Sequence, residues 1–302
     1  MSHSRRQFLS RSAMVAALAV LPAPFKALAA RSRFNFTPVR RGVGIFEARG
    51  GTIGWLVRDK ALVAVDSQFP ESAQACLDGL TEKSGRRMDL LINSHHHGDH
   101  TAGNSVLGAN ARHIVAQSNV PVLQKRFYGK SEREQKYADI TFEETWTQDL
   151  GDETISLNYF GPGHTGGDSV IHFQNADVAH MGDLVFNHRH AYIDLPAGCD
   201  TRNWMTVLER TYDMFTDNTV FIFGHGNPTH GILGTRDDVL VMRDYLGALR
   251  KAVSDGIRDG KSSADIAALG LEGFESHRID GSTKGIEGNL MAVYEELTEA
   301  VE

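Results

Sequence analysis

Cysteine is scarce in this 302-residue chain. Only Cys76 and Cys199 are present, too few for a disulfide framework or an all-thiolate zinc site. The sequence leaves open whether the two meet. No repeat, low-complexity tract or long linker interrupts the chain, and its length suits one large domain or two small ones. Long apolar runs are missing as well. The longest, residues 13–21, is about half of the roughly 20 residues that span a bilayer, which argues against a stable membrane anchor. Positive charge is also in short supply, with 31 basic against 38 acidic residues. Residues 1–29 hold four of the bases (Arg5, Arg6, Arg11 and Lys26) and no acid, so the remainder carries 27 against 38, a net of −11. Such a body has no electrostatic footprint for nucleic acid or anionic lipid. Apolar and charged fractions of 41% and 23% exclude a disordered tail or a collagen-like fibre. Histidine, by contrast, is plentiful at 14 residues, and its placement carries the functional reading.

Residues 1–29 read as an address. Ser4-Arg5-Arg6-Gln7-Phe8-Leu9 precedes the apolar run, and Ala27-Leu28-Ala29 closes it as an A-x-A cleavage site. The paired arginines in S-R-R-x-F-L resemble a twin-arginine export signal. That route, with the twin-arginine machinery as partner, exports folded proteins and implies a periplasmic location, with the mature chain beginning near Ala30.

The pattern that follows predicts strands at 43–48, 52–58 and 61–66, a helix at 71–83 ending near Gly85, and an apolar strand at 88–93. Further strands are expected at 153–160, 168–173, 178–181 and 220–223. A helix at 203–215 would bury Trp204, Val207, Leu208 and Phe215. Beyond Thr235 the pattern turns helical, at 237–253, 263–269 and 285–300. Strands alternating with helices imply an α/β body of sheets covered by helices over residues 30–235. The expectation for residues 236–302 is a helical extension packed on that body.

The strand at 88–93 runs into His95-His96-His97-Gly98-Asp99-His100. A solvated histidine run is the bland alternative, but this one follows a buried-type strand and precedes Thr101-Ala102-Gly103-Asn104. Imidazole and carboxylate together suit zinc, and also iron or manganese. Three further islands follow, each beside glycine at a strand end: Gly163-His164-Thr165, Gly182-Asp183-Leu184 and Gly224-His225-Gly226. His96 should point away from its neighbours if the loop is extended. His188 and His190 suit the surface better than the pocket mouth, and His113, His172, His180, His230 and His277 have no motif context.

H-x-H-x-D-H, then His, then Asp, then His resembles the metallo-β-lactamase superfamily over roughly residues 43–235. The resemblance implies a four-layer αβ/βα sandwich with metals at one edge of the sheets. By position, His95, His97 and His164 would hold one zinc ion, Asp99, His100 and His225 a second, and Asp183 would bridge them. Asp66 matches an acidic position that supports the metal loop, or else is a plain strand-end turn carboxylate. The implied chemistry is hydrolysis of a small-molecule carbonyl-type bond (ester, lactone, thioester or lactam) by a hydroxide shared between two metals, with Asp99 as proton carrier. Antibiotic-cleaving zinc lactamases usually place Cys or Ser where Asp183 stands. The Asp pattern is closer to the hydroxyacylglutathione hydrolase and lactonase branches, yet the basic substrate-binding pattern of a glutathione thioesterase is not recognisable. A true β-lactamase stays open, as does a mono- or di-iron oxygenase or oxygen reductase, although the oxygen-reducing branch normally has glutamate where this chain keeps His97. A metal-bearing protein without catalysis is the third class.

Overall fold

A computed structural model describes residues 34–277 and 284–299, so the export signal lies outside the described residues. The chain divides into Met1–Asn35, of which only Phe34 and Asn35 are described, and a body from Phe36 to Glu302. Alternation along the strands decides which faces of that body are buried. In β2 (Val43–Glu47), β3 (Ile53–Val57) and β4 (Leu62–Val65), Val43, Ile45, Leu56, Val63 and Val65 face one apolar core. With β1 (Asn35–Arg40), β5 (Met88–Ile92), β6 (Ala111–Gln117) and β7 (Ile140–Phe142) they form a seven-stranded sheet in chain order. It is antiparallel from β2 to β4 and parallel from β4 to β7.

A six-stranded sheet has the order β15-β13-β11-β10-β9-β8. Its strands are β8 (Thr145–Asp149), β9 (Thr154–Asn158), β10 (Val170–Phe173), β11 (Val178–His180), β13 (Val220–Ile222) and β15 (Leu233–Gly234). β12 (Phe186–Asn187) and β14 (His225–Gly226) pair separately. Ile155, Leu157, Ile171, Phe173 and Ile222 share the core with the first sheet, so the two sheets pack face to face.

Helices close the outside. α1 (Pro70–Ser84), α2 (Gly98–Thr101), α3 (Asn104–Asn110) and α4 (Asn119–Tyr128) connect the strands of the first sheet. α1 begins at proline, whose missing N–H is not needed there, and stops at Gly85 in a left-handed conformation. The opposite face of the second sheet, with Ala179, Phe221 and Phe223, packs against α5 (Thr201–Met214), α6 (Arg236–Arg258), α7 (Ser263–Ala267) and α8 (Lys284–Glu299). Trp204 on α5 is fully buried there, an anchor worth about 3–5 kcal/mol against truncation to alanine. Leu246 and Leu249 of α6 and Leu290 and Val293 of α8 lie in the same core. Glu296 of α8 accepts from the Thr201 backbone at the start of α5 (2.7 Å) and from Arg250 of α6 (2.9 Å).

The sequence pattern predicts no element at β1, β6, β8 or α4. β8 is almost wholly exposed, β6 has exposed Arg112 and His113 side by side after buried Ala111, and α4 leaves Val122 and Phe127 exposed, so these three show no clean periodicity.

The architecture brings five chain segments to one edge of the sheets. Asp66 follows β4, the histidine loop follows β5, and His164, Asp183 and His225 follow β9, β11 and β13.

Candidate active site

The rings of the first cluster are aimed by what stands behind them. Ser94 Oγ donates to Asp66 (2.7 Å), so its lone pair accepts the Nδ1 proton of His95 at 3.0 Å and leaves His95 Nε2 bare. The main-chain oxygen of Tyr192 accepts from His164 Nδ1 (2.8 Å), which leaves its Nε2 bare. Asp194 accepts from His97 Nε2 (2.8 Å), which leaves Nδ1 bare. The three bare nitrogens converge: His97 Nδ1 lies 3.1 Å from His95 Nε2 and 3.0 Å from His164 Nε2. Lone pairs at that spacing repel unless a cation sits among them, and nitrogens sharing one tetrahedral zinc stand about 3.3 Å apart.

A second cluster adjoins the first. His100 gives its Nδ1 proton to Asp66 at 2.7 Å, so its Nε2 faces inward. His225 Nε2 lies 3.1 Å from Asp99 Oδ2. Between the clusters stands buried Asp183, with Oδ1 3.1 Å from His100 Nε2 and Oδ2 3.4, 3.7 and 3.9 Å from His225, His164 and His95. His100 Nε2 and Asp183 Oδ1 have no well-formed hydrogen bond despite complete burial, as expected of atoms that face a cation. Two glycines make the approach possible. A Cβ on Gly51 would sit 2.1 Å from the His100 ring, and one on Gly224 would sit 2.0 Å from Asp183 Oδ1.

Electrostatics separate the two clusters. Burial, reinforced by the neighbouring histidines, drives the His95 imidazole well below its ordinary range and His164 to about 3. Both are neutral at neutral pH, the form in which an imidazole can bind a metal. Burial also opposes charge on His100 and His225, but the carboxylates of Asp183 and Asp99 prevail, raising His100 well above its usual value and His225 to about 9. Asp99 is burdened by burial too, yet His100 and His225 bring it down to about 2. Protons on His100 and His225 thus occupy the place that a cation would take.

A cavity of about 570 Å³ opens over the clusters, with His97, Asp99, Asp183 and His225 on its floor. Phe127, Tyr128, Phe186 and Tyr192 supply aromatic walls, and Arg189 is the one arginine or lysine among its described lining residues.

All seven residues singled out from the sequence as ligands therefore meet at one place. Asp66, open between two roles, is buried behind both clusters and holds Ser94 and His100. His96 is not among the converging ligands: its ring lies against those of His97, Phe127 and Tyr128 (ring centres 4.4, 5.3 and 6.2 Å), beside the His97–Asp194 pair, and its nitrogens have no hydrogen-bond partner. His188 and His190 are half-buried against His230 and His277. The sequence reading missed Asp194, Tyr192 and Gly51. Asp194 lies 97 residues from His97 with no motif, Tyr192 contributes a main-chain oxygen, and Gly51 shows only as one of several glycines between two strands.

Clusters of histidine and aspartate at the strand ends of two facing sheets define a metal-binding site of hydrolase type. The profile of the metallo-beta-lactamase superfamily matches residues 48–232, and the chain belongs to that superfamily as a metal-dependent hydrolase. Among solved structures, a metallo-beta-lactamase from Pontibacter korlensis is similar over 71% of this chain and 99% of its own, with 16% identity and a TM-score of 0.61. The DIM-1 metallo-beta-lactamase is similar over 71% of this chain and 97% of its own, with 15% identity and a TM-score of 0.60. No curated protein matches the chain.

Proposed function

We propose that the protein is a dinuclear zinc hydrolase that cleaves a carbonyl-type bond (ester, lactone, thioester or lactam) in a small molecule. One ion is held by His95, His97 and His164, the other by Asp99, His100 and His225, with Asp183 between them. The observation that carries this reading is the inward convergence of the bare nitrogens of His95, His97 and His164, each aimed by an acceptor behind its ring. Bound zinc supplies a water acidic enough to be nucleophilic near neutral pH, together with positive charge for the carbonyl oxygen and the leaving atom. The chain's own residues do the rest. Asp99 is open to the cavity and close to His225, placed to take a proton at Oδ2 and return it to the leaving atom. The aromatic walls exclude water around the scissile bond, and Arg189 favours a substrate that carries a negative group. Residues 1–29 are read as a twin-arginine signal, which places the mature protein in a periplasm and delivers it already folded.

Elemental analysis of protein purified without added metal, joined to a hydrolysis screen over lactam, lactone, thioester and ester substrates, tests the reading. Close to two zinc per chain and turnover abolished by chelator are expected. A single iron per chain would overturn it in favour of oxygen chemistry.

A further inference from the structure

The segment from His190 to Asp194 carries the acceptors behind two of the three rings in the first cluster. The Tyr192 oxygen receives the Nδ1 proton of His164 and the Asp194 carboxylate receives the Nε2 proton of His97, both at 2.8 Å. No strand or helix includes this segment, so the sheet ladders do not position it. It is instead tied to helices that lie beyond the residues matching the superfamily. Asn289 of α8 is buried and donates from Nδ2 to the Ala191 oxygen (2.9 Å) and to the Tyr245 hydroxyl (2.8 Å). Tyr245 of α6 is fully buried. Having accepted from Asn289, its hydroxyl has one proton to give, and His190 Nδ1 lies 2.9 Å away. The His277 ring lies parallel to that of Tyr245 (5.2 Å), and its main-chain oxygen accepts from the His190 backbone at 3.2 Å. The acceptors behind His95 and His100 are Ser94 and Asp66, which follow strands β5 and β4 of the first sheet. The two sides of the metal site therefore rest on different parts of the molecule.

We propose that Asn289 and Tyr245 are positioning residues that set the aim of His97 and His164, so that the C-terminal helices tune the affinity of one metal site. This rests on the reading that His95, His97 and His164 share a metal. The test uses the full chain loaded with cobalt(II), whose paramagnetism shifts the N–H protons of ligating imidazoles out of the ordinary proton spectrum. Tyr245→Phe deletes one oxygen from a buried ring. In that variant the N–H protons of His97 and His164 should exchange with solvent about tenfold faster, while those of His95 and His100 keep their rates. Chelator competition should show the metal at His95, His97 and His164 bound several-fold to about tenfold more weakly, the low end of what removing support behind a ligand does. Asn289→Leu should act in the same direction, and it serves alone if Tyr245→Phe does not fold. Glu296→Gln weakens the ties of α8 to Thr201 of α5 and Arg250 of α6 without touching the segment, Asn289 or Tyr245, and should leave all four rates unchanged. The proposal is overturned if the four protons respond alike, if none responds, or if Glu296→Gln gives the same pattern. Absence of shifted imidazole protons in the unmutated cobalt-loaded chain would instead defeat the metal reading, and this inference with it.

Discussion

His95, His97, His100 and His164 each give one ring nitrogen to an acceptor behind the ring and aim the other inward, whereas His188, His190, His230 and His277 lie ring against ring. Both groups are rich in imidazole and both include an acidic neighbour, Asp183 in one and Asp238 in the other, the latter 3.7 Å from His188 Nε2. In the second group, though, the rings of His188 and His230 are stacked at 3.7 Å and 12°, which sets their nitrogens side by side instead of converging. Metal-binding capacity thus follows from the acceptors that fix tautomer and direction, and a high local count of histidines does not supply it.

The largest effect should come from Asp183→Ala, which removes the carboxylate between the two clusters. Loss of the second metal, with the three-histidine metal retained, and a fall in turnover by several orders of magnitude are expected from metal analysis and steady-state rates. Retention of both metals at full rate would break the comparison at its centre. Asp183→Cys should lower native turnover without creating strong lactamase activity, because pocket shape also sets specificity.

Next in size are the acceptors. Asp66→Asn leaves His100 without its charged partner and should weaken metal binding at Asp99, His100 and His225 by about 10–100-fold, with a smaller loss at the other cluster, which it supports only through Ser94. Asp194→Asn should do the same to the metal shared by His95, His97 and His164. Competition with a chelator of known affinity separates the two. Equal losses at both sites would show that the acceptors do not act locally.

A smaller, calorimetric effect concerns protons. His100 and His225 are held above their ordinary values in the metal-free chain, so loading at pH 7 should release their two protons as the metals displace them, and up to one more from the metal-bound water. Affinity should consequently fall as the pH drops. Titration in buffers of different ionisation heat measures the number released. A count of zero would mean that these two rings do not bind metal.

The smallest effects belong to the stacked histidines. His230→Phe keeps a flat ring against His188 and should leave metal content and turnover unchanged. Burial, with His188, His190 and His230 adding to it, lowers His277 to about 4. Between that value and about 6.5 the unfolded chain binds more protons than the folded one, so stability present above pH 6.5 declines as pH falls toward 4. Denaturant midpoints for His277→Phe should decline less steeply across that window. A metal loss in His230→Phe would erase the distinction between the two groups.

The set of candidate ligands was legible because it is local chemistry. His95, His97, Asp99 and His100 lie within one six-residue stretch after an apolar strand, and His164, Asp183 and His225 each sit beside glycine downstream of a strand. The main strands and the helices over 70–84 and 201–214 were legible from alternation and helical spacing, since one face of each is buried. Exposed β8 and the mixed pattern of α4 were not, because neither presents a clean apolar face.

By itself, then, the sequence determined the candidate ligand types, their order and the α/β layering, all of which depend on neighbours a few residues apart. The aim of each ligand was decided only in three dimensions. Asp66 reaches His100 across 34 residues and Asp194 reaches His97 across 97. The acceptor for His164 is the backbone of Tyr192, a group that every residue possesses and no side-chain pattern can mark. Hydrogen bonds between distant segments exist only once the sheets have packed, and here it is those bonds that turn seven ligand-type side chains toward one place.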